Sequence, residues 1–574
     1  MTGKGPTNRW SAARPVLFVM VVSCIAMGLA IAVGGSVGAA SMGSISGVVK
    51  DDGGKPLRGA RIIATAGYKS VSRFTDQAGR YKIPDLKPGT YEIAATGWGF
   101  ERKQNTAELS GNMEMNFTLA PQWDISQLST ADWLSFLPEN EEVQTLKVTC
   151  LKCHNFSFIV SRRGMTAGQW AHLIMNMGTS GNIRQGKVPG KDTEGGLFRV
   201  AGGNRDEPQL TAKLGSILEK YFGPTSPIPT REQVSHPSIS DAALRATFVE
   251  YKSPMVAYVH SAMPDREGRY VWFCYWNFTY AKQIGRFDIA TEKFVDIPLP
   301  AHPGNPWMSK DGKRVWVLAG NELFEVDART GEFTPHKTPL EPLHSQRPMG
   351  EDSAGNIWFS GDSIAKFDPR AGTWDEFPVA KVSDLPERFG ELNLNTQFYR
   401  RELEEGRKEF SSWAYDLAVD SHDNVWYSHF ETGHIMRLDP KTKQTKAYRI
   451  PNAIIIKGIA IGPDDTVWFG NSDAGKLAKL DPRTGNVEQY QPPNRYAAYY
   501  AASVSKNGQV WLADFTGSHL TKFNPVTKEF TEYPLPSSDG MPRFIALDPQ
   551  GRVWYGGSDV QKFGFLDPGD SAAP

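Results

Sequence analysis

Three different periods of apolar and polar positions divide the chain. From about 44 to 121 the two alternate between closely spaced turns: Ile45, Val48 and Val49, then Asp51-Asp52-Gly53-Gly54, Ile62 to Ala64, Gly79, Tyr81, Pro88-Gly89 and Tyr91 to Ile93. A period of two with frequent turns predicts a small antiparallel β-sandwich. From about 125 to 224 the period becomes 3.6. Pro138 followed by Glu139, Glu141 and Glu142 favours a helix start, because acidic side chains offset the positive end of the helix dipole. Thr166 and Gln169 form a capping box for a second helix, on which Trp170, Leu173, Ile174 and Met177 share one face. A third helix from about Gln209 aligns Leu210, Leu214, Ile217, Leu218 and Phe222 before Gly223-Pro224 stops it. Three helices around one site predict a small all-α domain.

From about 250 to 569 the chain is a repeat array. Strand tryptophans recur at Trp272, Trp316, Trp358, Trp426, Trp468, Trp511 and Trp554, separated by 44, 42, 68, 42, 43 and 43 residues. Each is followed by an acidic or amide turn: Asp288, Asp327, Asp368, Asp439, Asp481, Asn524 and Asp567. A period of about 40 to 45 residues holding several short strands is the size of one propeller blade, so seven units predict a seven-bladed propeller. The long step is one period plus an insert, 381–410, rich in Glu, Arg and Lys. It reads as a solvated helix or loop, or as a partner-contact element.

Composition fits this mainly β, multidomain picture. The 574 residues exceed one domain several times over, and 55 Gly, 39 Pro, 16 Trp and 30 Phe suit short strands and turns. Lys and Arg number 63, as do Asp and Glu, so there is no field of one sign to recruit nucleic acid.

Residues 1–40 look like an export segment. Lys4, Arg9 and Arg14 precede an apolar run from Val16 to about Val33, and small residues follow, ending Gly38-Ala39-Ala40. Three outcomes stand: a cleaved signal; an uncleaved anchor that tethers the protein to a membrane, since the run has about the 20 residues a span needs; and a lipid anchor at Cys24, whose Val22-Ser23 context matches a lipoprotein site poorly. In each case the expected location is periplasmic or otherwise outside the cytoplasm.

The strongest chemical signal is Cys150-Leu151-Lys152-Cys153-His154, because C-x-x-C-H is the attachment pattern of c-type haem. Two cysteines three apart can each add to a vinyl group of one porphyrin, and the adjacent histidine then presents an imidazole to the iron. Thioredoxin-like chemistry would want a preceding strand in a βαβ unit, whereas a charged helix precedes Cys150. Zinc would want further ligands at short spacing, and the other cysteines, Cys24 and Cys274, lie more than a hundred residues away. A plain disulfide or a chance match is the remaining alternative. Cys274, within Trp272-Phe273-Cys274-Tyr275-Trp276, reads as a buried, inert thiol.

Three family resemblances follow from these motifs. The run Gly47-Val48-Val49, Pro56-Leu57, Gly59-Ala60, Thr75-Asp76, Gly79-Arg80-Tyr81 and Pro88-Gly89-Thr90-Tyr91 resembles the carboxypeptidase regulatory-like (transthyretin-like, prealbumin-like) family over 44–121. Such modules act as spacers or carbohydrate-binding-like folds and lack a catalytic centre. The segment 125–224 resembles the monohaem cytochrome c family through its attachment motif, the Trp170, Ile174, Met177 pattern and the closing Leu218 to Pro224 helix end. That resemblance implies one covalent haem c whose iron is held by His154 and a distal methionine: Met177 first, then Met175 or Met165. A thioether ligand raises the reduction potential compared with two histidines.

The blade text, for example Gly462-Pro463-Asp464-Asp465-Thr466-Val467-Trp468-Phe469, resembles the virginiamycin B (streptogramin) lyase family over nearly all of 250–569. That family is similar to a metal-dependent carbon-oxygen lyase with catalytic histidines shortly before the blade tryptophan. Here Tyr500 and Arg543 stand at those positions and Met541 replaces a family glutamate, so the resemblance supports the fold and not the reaction. Counting eleven positions back from successive tryptophans places Arg347, Tyr415, Lys457, Tyr500 and Arg543 at one level. This is either a cationic and phenolic ring near a central funnel, suited to an anionic substrate or an acidic partner face, or a set of hydrogen-bonded strand starts.

The leading expectation is an exported c-type cytochrome that transfers electrons, with the propeller docking a redox partner protein or a small-molecule donor. The alternatives are a periplasmic oxidoreductase acting in the funnel, a residual lyase, and a non-catalytic carbohydrate- or envelope-binding scaffold.

Overall fold

The computed structural model describes residues 41–151, 155–184, 208–255, 258–276, 281–339, 347–385, 406, 408–410, 412–538, 540–557 and 560–569; the side chains of 176–184, 208–210, 276 and 347–348 are not described. Residues 1–40, expected to be the export segment, with Lys152, Cys153, His154 and most of the 381–410 insert, lie outside these residues. No helix among the described residues is long and apolar enough to cross a membrane.

The alternating segment folds into two sheets. Strand Gly43–Asp51 pairs antiparallel with Arg80–Leu86 and parallel with Asn112–Glu114 and Phe117–Leu119. The facing sheet runs Lys69–Phe74, Arg61–Ala66, Gly89–Thr96, Lys103–Leu109. Ile45, Val49, Ile62, Ile83 and Ile93, the inward positions of the alternation, are fully buried between them.

Six four-stranded antiparallel sheets follow in chain order from Tyr258–Pro264 to Glu529–Pro534, each formed by four consecutive strands. The seventh takes its three inner strands from the C-terminal region, Pro542–Leu547, Val553–Gly557 and Lys562–Asp567, and its outer strand, Thr247–Lys252, from before the first blade. The repeat is a closed seven-bladed propeller. Gly556 permits the closure: a Cβ there would fall 2.3 Å from the carbonyl oxygen of Val259 in blade one.

The tryptophans sit on the second strand of each blade and are buried against the next one. Trp272 packs with Val315 and Val317, Trp316 with Ile357 and Phe359, Trp426 with Val467 and Phe469, and Trp554 with Val271 and Phe273. In three blades an aspartate six residues earlier organises the hairpin. Asp352, Asp420 and Asp548 accept the indole N–H of Trp358, Trp426 and Trp554 at 3.0, 2.9 and 2.8 Å, while their other oxygens accept turn N–H groups. The second turn series is built by Asx geometry: Asp327 and Asp368 accept the N–H groups two and three residues on.

Strand Thr247–Lys252 pairs on its other edge with Lys69–Phe74 of the sandwich, so blade seven and one sandwich sheet form a single eight-stranded sheet. Buried Arg61 reinforces this joint, donating to the carbonyl of Pro534 at 2.5 Å with its guanidinium 4.2 Å from the Phe74 ring.

The helical segment differs from the expected self-contained three-helix domain. Its described α-helices are Thr130–Phe136, Glu141–Cys150, Ser157–Val160, Ala167–Arg184 and Pro208–Phe222. Asn140, not the Pro138 turn, caps the second of these, accepting the N–H of Val143 at 3.0 Å. Trp133, Leu146, Phe156, Trp170 and Phe222 form a core continuous with Tyr415, Phe430, Ile454, Tyr500 and Phe515 of the propeller. Too few apolar residues lie in these short helices to bury a separate core, so the segment lies across blades four to six. Ala131 N–H donates to Thr516 O at 3.1 Å, and Glu139 pairs with Arg495.

Candidate functional site

Two groups of residues converge where the helical segment meets the propeller. The first is the end of helix Glu141–Cys150. Glu141 and Glu142 lie in its first turn, and Val143 and Leu146 turn inward. Cys150, in its last turn, is half-buried against the shared core, and Leu151 closes the helix with its N–H on Lys147 O at 3.3 Å. The attachment motif therefore begins at a helix C-terminus facing the propeller.

Of the three methionines, Met175 is 48% exposed, whereas Met165 packs partly buried against the core. Met177 lies on helix Ala167–Arg184 one turn past Ile174 and two turns past Trp170, with its side chain outside the described residues.

The described part of this region suits a haem. Cys150 supplies a thiol at the margin of an aromatic core in which Trp133 and Phe156 pack on Phe222 with centroids 5.6 and 5.5 Å away. The indole N–H groups of Trp133 and Trp170 are buried without acceptors. These side chains pack on one another rather than around an open space; the apolar surroundings and the unsatisfied indole donors are the features of this region that suit an apolar macrocycle bearing acidic side arms.

The second group is the ring at the start of the innermost strands. Tyr415 and Tyr500, from blades four and six, share a hydrogen bond between their hydroxyls. Lys457 of blade five holds its ammonium 4.5 Å from the Tyr500 ring centre and 4.3 Å from that of Phe515. Arg543 of blade seven reaches Tyr500 Oη at 3.5 Å and His260 Nε2, in blade one, at 3.4 Å. Four of the five residues on the sequence register are thus brought together; the Arg347 side chain lies outside the described residues.

The register holds two more members that sequence reasoning missed. Asn305 and Ser261 also stand eleven positions before Trp316 and Trp272, and they hydrogen-bond at 3.1 Å. His260 Nδ1 lies 3.1 Å from Asn305 Oδ1 and must carry the proton there, which leaves Nε2 to accept from Arg543. Cys274 also donates to Asn305 Oδ1, at 2.9 Å, and burial pushes its thiol up to about 11, so it is protonated and inert. The extra residues are small or neutral, and only the count, not their charge, could have found them.

The ring and the motif border one cavity system. A cavity of about 210 Å³ beneath helix Glu141–Cys150 is lined by Leu137, Val143, Lys147, Arg495 and Tyr496. A narrower one of about 20 Å³ is lined by Val148, Leu151, Lys457, Asp473 and Phe515. Leu134, Gln144, Lys147 and Tyr496 line both.

Comparison with known proteins agrees with the architecture. Residues 404–570 match the virginiamycin B lyase family and residues 44–120 the carboxypeptidase regulatory-like domain. The chain thus carries a carboxypeptidase regulatory-like sandwich and a virginiamycin B lyase-like propeller. Among solved structures it is similar to a streptogramin B lyase, at 20% identity over 57% of this chain and 99% of that one, with a TM-score of 0.45. It is also similar to virginiamycin B lyase from Staphylococcus aureus, at 18% identity over 56% and 99%, TM-score 0.44. The WD40 propeller domain of Doa1 matches at 9% identity over 55% and 95%, TM-score 0.42. No curated protein matches the chain.

Proposed function

We propose that this chain is an exported c-type cytochrome that transfers electrons through one covalently bound haem, with the propeller docking the redox partner or small-molecule donor. The observation that carries this reading is the Cys150-Leu151-Lys152-Cys153-His154 motif, which begins at a helix end set against the propeller ring.

Cys150 and Cys153 would hold the porphyrin by thioethers and His154 and Met177 would ligate its iron, with Met165 preferred over the exposed Met175 as the substitute for Met177. When bound, the haem supplies one-electron exchange at a potential raised by the thioether. The chain's own contribution is exclusion of water and fixed orientation: Trp133, Phe156, Trp170 and Phe222 form the dry wall, and Trp133 and Trp170 offer the two indole donors. The propeller's cations beside this region are Lys457, buried against Tyr500 and Phe515, and the half-buried Arg543, which reaches Tyr500 and His260.

The lyase alternative finds less support in the ring. Tyr500 is hydrogen-bonded to Tyr415, Arg543 is cationic, and both nitrogens of His260 are engaged, so among the described residues of the ring these groups offer no uncommitted imidazole as a base. The protein expressed in a host competent in cytochrome maturation should be coloured, give a c-type pyridine haemochrome spectrum and retain peroxidase-active haem on a denaturing gel. Cys150→Ser with Cys153→Ser should abolish all three. A colourless wild type refutes the assignment.

A further inference from the structure

We propose that the turn 514–519 of blade six and helix Thr130–Phe136 form an acid-released clasp, which holds the helical segment over the propeller ring at neutral pH and lets it lift when His519 takes up a proton. The segment is the ring's cover: Tyr415 and Tyr500, each 4% exposed, lie in one core with Leu134, Leu146 and Phe156. The clasp rests on this contact and is independent of any cofactor the segment carries.

Two bonds seat the helix on blade six. The N–H of Ala131 donates to Thr516 O at 3.1 Å, and Ser538 Oγ donates to Ser126 O at 3.1 Å just before the helix. Beneath them lies His519, buried, with Nδ1 lacking a hydrogen-bond partner and 3.9 Å from Asp514 Oδ2, longer than a hydrogen bond. The charged groups that act on it are Asp514 of its own turn, His236 and Asp132 of the helical segment, and Arg61 of the sandwich.

Neither carboxylate is free to turn toward an imidazolium. Asp514 Oδ1 accepts the N–H groups of Ala498, Thr516 and Gly517 at 3.1, 3.2 and 3.1 Å, and Oδ2 accepts Asn494 Nδ2 at 2.8 Å. Asp132 Oδ2 accepts the N–H and hydroxyl of Ser129, both at 2.8 Å, while Oδ1 faces His236 Nδ1 at 2.9 Å. His236 is fixed in turn by stacking on Trp98 of the sandwich, with centroids 4.5 Å apart. Space is short as well: a Cβ on Gly517 would fall 2.5 Å from Asp514 Oδ2 and 2.9 Å from His519 Nδ1. Burial therefore holds the His519 pKa below the usual histidine value; Asp514 and Asp132 oppose the shift, and His236 and Arg61 add to it. Lifting the helix would hydrate the imidazole and remove that penalty. A depressed value in the closed form gives docking that is complete above about pH 6.5 and weakens as pH falls below it.

Hydrogen exchange of the full-length protein at pH 7.5 and 5, corrected for intrinsic rates, tests this. Protection over residues 128–137, which include the Ala131 amide, should fall severalfold at pH 5. The ceiling is about thirtyfold, set by release of a histidine of ordinary pKa. Strand Val425–His429 should keep its protection. His519→Gln should show the same protection of 128–137 at both pH values, and His236→Gln should retain the acid release. Glu532, which acts on Asp514 from the blade's outer strand and is pushed up to about 7 by burial, titrates in wild type and His519→Gln alike, so their difference isolates the imidazole. Equal protection of 128–137 in wild type at both pH values, an equal loss in Val425–His429, release that survives His519→Gln, or release abolished by His236→Gln overturns the clasp. The wild-type comparison decides the matter even where a variant fails to fold.

Discussion

Replacing Asp420 should separate the energetic roles of one carboxylate that recurs in three blades. Asp420 is 6% exposed and Trp426 fully buried. One oxygen accepts the turn N–H groups of His422 and Asn424 at 2.9 and 2.8 Å, and the other accepts Trp426 Nε1 at 2.9 Å. In Asp420→Ala the indole donor is stranded in the interior, which costs about 1–3 kcal/mol. The two turn donors lose a partner that water replaces incompletely, about 0.5 kcal/mol each, so the total is roughly 3 kcal/mol. Asp420→Asn keeps one acceptor oxygen for two duties and should lose about half as much. Guanidinium denaturation followed by tryptophan fluorescence measures both variants against wild type. The order aspartate, asparagine, alanine is the required outcome. An alanine variant within 0.5 kcal/mol of wild type, or an asparagine variant no better than alanine, would refute the hairpin-clamp argument.

Three further outcomes are expected. The Glu532 carboxyl is pushed up to about 7, chiefly by burial, with the charge of Asp514 adding to it. A folded-state value above the unfolded one gives stability that is complete below pH 4.5 and is lost as pH rises through 7, so Glu532→Gln should match wild type near pH 5. Near pH 8 it should exceed wild type by up to about 2 kcal/mol, the full shift being discounted for partial solvent access; parallel urea curves at both pH values would contradict this. Val249→Pro places a residue without an N–H in a strand bonded on both edges and should cost about 3 kcal/mol or more, read as loss of soluble folded protein or a lowered Tm. If the haem assignment holds, Met177→Ala should lose the weak sulfur-to-iron band at the red end of the oxidised spectrum. Retention of the band moves the ligand to Met165 before Met175.

Local patterns made the architecture legible. Tryptophans at near-constant spacing specified the blades because each fills the same gap against its neighbour, and the alternating run specified the sandwich because one face of every strand is buried. Pairing between distant segments was not legible. Nothing in the text Thr247 to Lys252 says that its partners lie in the C-terminal strand on one side and near Val71 on the other, since periodicity reports which face of a strand is buried and not what lies at its edges. The helical segment failed in the same way: its apolar stripes were visible, but the surface they cover belongs to residues nearly 300 positions later. The count of eleven before each tryptophan found the ring where the side chains were charged or phenolic and passed over Ser261 and Asn305. The long step in the spacing is explained by its ends. Val382 and Phe410 exchange backbone hydrogen bonds at 3.0 and 2.8 Å, so the excursion leaves and returns at one point and the blade order is undisturbed.

The strand that closes the propeller has neighbours on both flanks, and this affects how the chain tolerates cutting. A fragment beginning just before residue 247 would keep all seven blades but present six residues of bare backbone donors and acceptors along blade seven, the kind of open margin that recruits a second copy. The N-terminal module therefore covers that edge against self-association, and shortened versions of this protein should be built with it in place.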